Sequence, residues 1–259
     1  MSCTLYEKHL YLNKDIIYLK NTRIIEYDIH AAGTCILYEL GLIKEKTFKY
    51  LMSLDKETRN ITVGNILVKH PKWNKLQMEG FSDVMRRFME LNDIDDKDVL
   101  SINKDSITVI NKKKLRNLVI DNLYKVHIEG NFNAYMHLCD KELYLNTETM
   151  MFNTKRFSRD VAAIQSDYFI NFFMSMMILD SKPNNKNEVF LNIRNFRSAY
   201  LNLELDDEYY YDMEHDGYVI NNALDNSKII SKYKRDKKNY DIKENYRFLE
   251  EFMKIILFW

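Results

Sequence analysis

Apolar positions change their spacing several times along the chain, and each change predicts an element. Leu10-Tyr11-Leu12 and Ile16-Ile17-Tyr18-Leu19 read as short strands, and the turn-forming Asn13-Lys14-Asp15 between them predicts a hairpin. Ile24 to Tyr27 reads as a third strand that stops at Asp28. From Ala31 the period lengthens: Ala32, Cys35, Ile36 and Leu40 mark one face of a short helix, with Gly41 as its stop. Residues 44 to 92 are helical in pattern, with breaks expected near Asn60 and Pro71, and Phe81, Val84, Met85, Phe88 and Met89 form one apolar face. After an acidic loop at 93 to 98, Ser101 to Val109 reads as strand, tight turn at Asn103-Lys104, and strand. Two further strands are expected around 118 to 128 and 133 to 145, an apolar helix at 160 to 180, and a final helix from Phe248 to Trp259.

The sum is an α+β fold: an antiparallel sheet with packed helices, followed by a mostly helical C-terminal lobe. We place a core domain at residues 1–150 and the second lobe at 151–259, and along the chain Pro183 to Asn187 is the best candidate for a boundary by composition. Phe169, Phe172, Phe173, Met174, Met176 and Met177 belong to a core.

Composition narrows the picture only slightly. Lys plus Arg equals Asp plus Glu at 38 each, so no global field points to nucleic acid, although basic residues gathered on one face would escape that count. The wealth of Asn, Lys, Ile and Tyr, with 6 Gly and 2 Pro, resembles the product of an AT-biased genome, as in many phages and low-GC bacteria. Cys3, Cys35 and Cys139 stand far apart without zinc or disulfide spacing. No signal leader and no run long enough to span a bilayer are visible, which predicts a cytoplasmic protein, in the host cytoplasm if the source is viral.

Two aspartates carry the chemistry. Asp28 follows Ile24-Ile25-Glu26-Tyr27, and Asp105 sits in Ser101-Ile102-Asn103-Lys104-Asp105-Ser106-Ile107. A carboxylate beside an apolar strand is costly to desolvate unless a positive group neutralises it. Two of them on one sheet make a site for divalent metal ions. Each also has an ordinary role open to it: Asp28 as the N-cap of the next helix, Asp105 as turn chemistry.

Three segments resemble the motifs of family B DNA polymerases, in family order. Asp28-Ile29-His30-Ala31-Ala32-Gly33-Thr34-Cys35-Ile36-Leu37 is similar to motif A, Lys56-Glu57-Thr58-Arg59-Asn60-Ile61-Thr62-Val63-Gly64 to motif B, and Asn103-Lys104-Asp105-Ser106-Ile107 to motif C. The likeness covers roughly residues 20 to 145 and includes nothing of an exonuclease domain. It implies a palm-like sheet, a short fingers insertion at about 40–92 and a reduced thumb in the C-terminal lobe. It further implies Asp28 and Asp105 as catalytic carboxylates that, with the carbonyl of Ile29, hold Mg²⁺ or Mn²⁺. Lys56, Arg59 and Lys69 would clamp a triphosphate, Asn60 would face the nascent base pair, and Lys112, Lys113, Lys114 and Arg116 would meet a duplex backbone. Asn103 replaces the first aspartate of motif C, and Gly33 replaces the tyrosine that excludes a ribose 2′-hydroxyl, which would leave space for ribonucleotides.

The expectation is a minimal template-dependent nucleotidyltransferase, polymerase or primase-like, whose partners are template, primer and nucleoside triphosphates, with a further protein completing fingers or thumb and no membrane. Two alternatives stand beside it. One is an inactive polymerase-derived accessory or nucleic-acid-binding subunit, favoured by Asn103 and the short fingers. The other is a viral structural or interaction protein, favoured by the neutral charge and the tyrosines at 209–211, 240 and 246. His30 beside Asp28, and the acids between Asp206 and Asp216, are weaker metal-ligand candidates.

Overall fold

The computed structural model describes residues 5, 8–110, 115, 117–157, 168–210, 218–222, 228–232 and 242–258. It is an α+β protein with antiparallel sheets, and its chain divides into two compact units: residues 1–15 with 23–131, and residues 16–22 with 132–259. The position expected as a boundary, 150, falls inside the second unit.

The first unit is built on a five-stranded sheet ordered β1 (Leu10–Leu12), β4 (Val99–Asn103), β5 (Ser106–Ile110), β3 (Ile24–Ile29) and β6 (Val126–Phe132). β3 lies between two neighbours and is buried at all positions but Asp28, which explains its nearly continuous apolar run. Strand alternation puts Ile25, Tyr27 and Ile29 into one core with Phe81, Val84, Met85, Phe88 and Met89. Those last five come from α4 (Pro71–Leu91), where Pro71 occupies the first turn as its missing N–H allows. The apolar face predicted for this helix is the one that is buried.

α1 (Ala32–Glu39) crosses α4 at close range. A Cβ on Gly80 would lie 2.4 Å from Cγ2 of Ile36, and one on Gly33 would lie 3.0 Å from Nε2 of Gln77. α2 (Glu45–Met52) and α3 (Lys56–Lys69) complete the unit, and a small cluster of Leu37, Ile43, Leu51 and Val63 ties them to α1. The helical break expected near Asn60 falls instead at Ser53 to Asp55, because Asp55 accepts a bond from the Thr58 N–H (2.9 Å) and starts a new helix there.

The N-terminal hairpin does not form. β1 pairs with β4, while β2 (Tyr18–Leu19) pairs with β7 (Ala134–Leu138) in the second unit. Asn13 still makes a local turn, its side chain accepting from the Asp15 N–H at 3.0 Å. However, its own N–H donates to the Leu100 carbonyl (2.8 Å) and its amide to the Val99 carbonyl (3.1 Å), so the chain stays bound to β4.

The second unit has a sheet ordered β2, β7, β8 (Lys141–Leu145) and β9 (Phe152–Lys155). The segment expected as one strand at 133–145 is thus a two-stranded hairpin. Helices α5 (Phe169–Ser181), α6 (Lys186–Leu201) and α7 (Ile242–Phe258) supply an aromatic core that includes Phe169, Phe173, Tyr200, Phe248 and Phe252. Pro183 lies in the short turn linking α5 to α6. Within this core the buried Asp180 carboxylate accepts from Tyr18 (3.0 Å) and Lys20 (2.9 Å), and its other oxygen lies 3.1 Å from the Lys186 ammonium. β10 (Tyr218–Asn222) and β11 (Lys228–Lys232) form an antiparallel pair. Among the described residues no helix is long and apolar enough to cross a membrane.

Candidate functional site

Asp28 and Asp105 meet because β3 and β5 are antiparallel neighbours. Asp28 stands opposite Ser106, and the Ile29 N–H donates to the Asp105 carbonyl at 2.9 Å. Asp105 follows Lys104, whose φ of 57° turns the chain from β4 into β5. Alternation within β3 sends Asp28 to the face opposite Ile25, Tyr27 and Ile29. Asp28 is not a helix cap: the residue before α1 is Ala31, and no side chain caps that helix. Ala31 holds φ at 50°, a left-handed conformation that costs a non-glycine residue about 1 kcal/mol or more.

α3 brings the cations. Lys56, Arg59, Asn60 and Val63 are spaced i, i+3, i+4 and i+7, which aligns them along one stripe of the helix. That stripe faces a cleft lined by Asp28, Ile29, Gly33, Lys56, Arg59, Asn60 and Asp105, together with Ala31, Ala32, Thr34 and Val63. Its cavity volume is about 60 Å³, room for an ion or roughly two waters, so a larger ligand extends into solvent. Lys69 is brought elsewhere. It occupies the last turn of α3 and is exposed, about 20 Å along the axis from Lys56 at 1.5 Å per residue.

The charges in the cleft are only partly paired with one another. Burial raises the Asp28 carboxyl to about 6, with the Asp105 charge adding to the rise and Lys56 and His127 opposing it. Burial likewise raises the Asp105 carboxyl above its ordinary value. The Lys56 ammonium approaches Asp28 to 3.9 Å and Glu129 to 3.5 Å from a largely exposed side chain. Arg59 is 6 % exposed, yet its only hydrogen bond among the described residues runs from Nη1 to the Leu54 carbonyl at 3.2 Å. Its Nε is buried without a partner. A buried guanidinium without a carboxylate is a standing free-energy cost and an electrostatic invitation to an anion.

Gly33 plays a different part from the one its alignment implies. Its missing Cβ faces Gln77 and Phe81, and the Gln77 amide donates to the Gly33 carbonyl at 3.1 Å. The glycine lets α1 approach α4, so its lack of a side chain does not itself open room beside a sugar. His30 is exposed, and its imidazole is held below the ordinary range by partial burial and by Arg59, His127, Lys125 and Lys56 around it. Lys112, Lys113, Lys114 and Arg116 lie outside the described residues, as do positions 211–217 of the acidic stretch.

Sequence reasoning missed His127 and Glu129. They are two residues apart on β6, therefore on the same face, and β6 lies against β3. His127 Nε2 is 3.6 Å from Asp28 Oδ2 and 3.0 Å from Glu129 Oε2. Glu129 has its carboxyl held below the ordinary range, chiefly by the bond with His127. The available signal was the His-x-Glu alternation in a strand pattern, but nothing in the sequence says which strand lies beside Asp28.

The model of one protein family, the Bacteriophage PBS1 gene 130 protein, matches residues 1–258. The chain belongs to that family. The match makes it a bacteriophage-type protein, in keeping with the composition, and leaves its chemistry to be argued from the cleft. No curated protein matches the chain.

Proposed function

We propose that this phage-family protein is a template-dependent nucleotidyltransferase, with Asp28 and Asp105 as its catalytic carboxylates. The observation that carries the reading is the convergence of those two acids and the α3 stripe Lys56, Arg59 and Asn60 on one cleft. Two acids with raised pKa values beside an unpaired buried guanidinium are mutually unsatisfied, and a metal-bound triphosphate would satisfy both. The order of the segments, and the pairing of β3 with the β4–β5 hairpin, agree with the resemblance to family B polymerases.

Asp28, Asp105 and the carbonyl of Ile29 are the oxygen donors that would hold Mg²⁺, a hard cation that accepts such ligands. When bound, such ions lower the pKa of an attacking hydroxyl and offset charge developing on a phosphoryl group. Arg59, which lines the cleft and is held by the Leu54 carbonyl, would offer its guanidinium charge to phosphate oxygens. Lys56, on a mobile stem at the mouth, swings from Asp28 to the incoming phosphate as a point charge. Asn60, one residue on and lining the same cleft, would meet the base.

The test is incorporation of labelled nucleotides on a template, comparing rNTP with dNTP, with and without primer. Incorporation by the wild type that is abolished in Asp28→Ala and Asp105→Ala supports the proposal. Nucleic-acid binding without incorporation under any of these conditions overturns it and favours the accessory-subunit reading, which Asn103 supports by placing an amide where the family's first motif C aspartate stands.

A further inference from the structure

Three side chains on one sheet face form a cluster that the polymerase resemblance does not contain. Asp28, His127 and Glu129 each offer one ligand atom, and those atoms all lie within 4.8 Å of one another. Two come from alternate positions of β6 and one from the adjacent β3, so the backbone fixes their common direction.

Two of the three spacings are those of metal ligands. Two atoms each about 2.1 Å from a common ion are about 3.0 Å apart at a right angle and about 3.6 Å apart near 120°. His127 Nε2 stands 3.0 Å from Glu129 Oε2 and 3.6 Å from Asp28 Oδ2. A second, independent observation marks the place as one for a cation: the Lys56 ammonium already stands 3.5 Å from Glu129 and 3.9 Å from Asp28. That ammonium sits on a side chain 65 % exposed, so it can leave without breaking any packing.

We propose that Asp28, His127 and Glu129 bind a divalent first-row transition-metal ion, with Mn²⁺ held in preference to Mg²⁺. Carboxylates and carbonyls alone suit Mg²⁺, and replacing one oxygen by imidazole nitrogen shifts preference towards the transition series. Three protein ligands with half-exposed His127 and Glu129 leave further coordination positions to water or to a phosphate oxygen. The site shares Asp28 with the cleft of the transferase proposed above and rests on that reading for its purpose, while its existence is decided separately.

The experiment is a titration of the full chain with Mn²⁺, followed by electron paramagnetic resonance, alone and with excess Mg²⁺. We expect bound Mn²⁺ that persists in excess Mg²⁺ and whose spin-echo spectrum carries a histidine nitrogen. His127→Gln is expected to weaken Mn²⁺ binding about tenfold or more, to abolish the nitrogen coupling, and to leave Mg²⁺ affinity little changed. Displacement of Mn²⁺ by equal Mg²⁺, or a wild-type spectrum with no histidine nitrogen, overturns the proposal without recourse to any variant. Mn²⁺ bound through histidine in a protein that incorporates no nucleotide upholds this site and removes the transferase. Incorporation with Mg²⁺ that His127→Gln leaves intact, with no histidine-bound Mn²⁺, does the reverse.

Discussion

Arg59→Met separates a residue kept for ligand binding from one kept for stability. Arg59 is 6 % exposed and, among the described residues, its guanidinium bonds only the Leu54 carbonyl, at 3.2 Å, while Nε is buried without a partner. Losing the one hydrogen bond costs about 0.5–1.5 kcal/mol, whereas relieving the unsatisfied buried donor returns about 1–3 kcal/mol. Methionine fills a similar volume with adaptable apolar atoms. The expected balance is a stabilisation of about 1 kcal/mol, or about 2–4 °C in melting temperature for a protein of this size. Ligand binding moves the other way. A charge-assisted bond to phosphate contributes about 1.5–3 kcal/mol, so its loss weakens a triphosphate about ten- to hundredfold. At a triphosphate concentration of about 100 times its Kd the wild type gains about 2.7 kcal/mol, and a hundredfold weaker variant gains only about 0.4 kcal/mol. Differential scanning calorimetry with and without a nucleoside triphosphate therefore reads both effects in one experiment. A variant that melts several degrees lower than wild type and keeps its full ligand-induced shift would show that Arg59 serves the Leu54 turn and not an anion.

Three further substitutions test the same physics. For Asp28 the folded-state pKa of about 6 lies above the ordinary value of 3.8, so its ionisation opposes folding: the penalty is absent below about pH 4 and complete above about pH 6. Asp28→Asn is then expected to raise stability by about 2 kcal/mol at pH 7 and to change little at pH 4, read by denaturant melts at both pH values. Asp180 is the opposite case. Its pKa is lowered, against its burial, by Lys20, Lys186 and Tyr18, so its contribution is full above the ordinary carboxylate range and is lost as pH falls through the depressed value. Asp180→Asn strands those partners and is expected to cost about 3 kcal/mol near neutrality, the low end for a broken buried pair because both ammonium groups can turn to water; thermal melts check it. Gly80→Ala forces a Cβ against Ile36 Cγ2 and is expected to cost about 1–3 kcal/mol, a cost that should shrink in a double-mutant cycle with Ile36→Ala, which removes that Cγ2.

What could be read from the sequence was whatever depends on local period. The apolar face of α4 and the strands around Asp28 and Asp105 follow from neighbours a few residues away. So does the stripe Lys56, Arg59, Asn60, because helical spacing alone aligns it. Pairing between distant strands was not legible. Asn13-Lys14-Asp15 does turn the chain, but the two strands it joins go to different sheets, since β4 and β7 compete for them across about a hundred residues. The same ignorance hid His127 and Glu129, which become interesting only when β6 lies against β3. Gly33 shows the converse: aligned with a tyrosine beside a sugar, it lines the cleft, and a Cβ there would also meet Gln77 on α4.

The electrostatics of the cleft connect these pieces. Asp28, Asp105 and Arg59 line one cavity, yet the guanidinium bonds a backbone carbonyl instead of either acid. Opposite charges that share a cavity ordinarily pair, because each pays for its own desolvation otherwise. Here the arginine pairs with neither: the acids stand on β3 and at the β4–β5 turn, while the arginine in the first turn of α3 bonds the Leu54 carbonyl. A fold selected for stability alone would gain by letting these groups meet or by replacing them with apolar residues. Keeping an anion-seeking group and cation-seeking groups apart on rigid elements instead fits a ligand that carries both charges, which a metal-bound nucleotide does. On that view the destabilisation at Asp28 and the unpaired nitrogen of Arg59 are two sides of one requirement, and the Arg59→Met and Asp28→Asn variants, each more stable than the wild type, are expected to lose the same function.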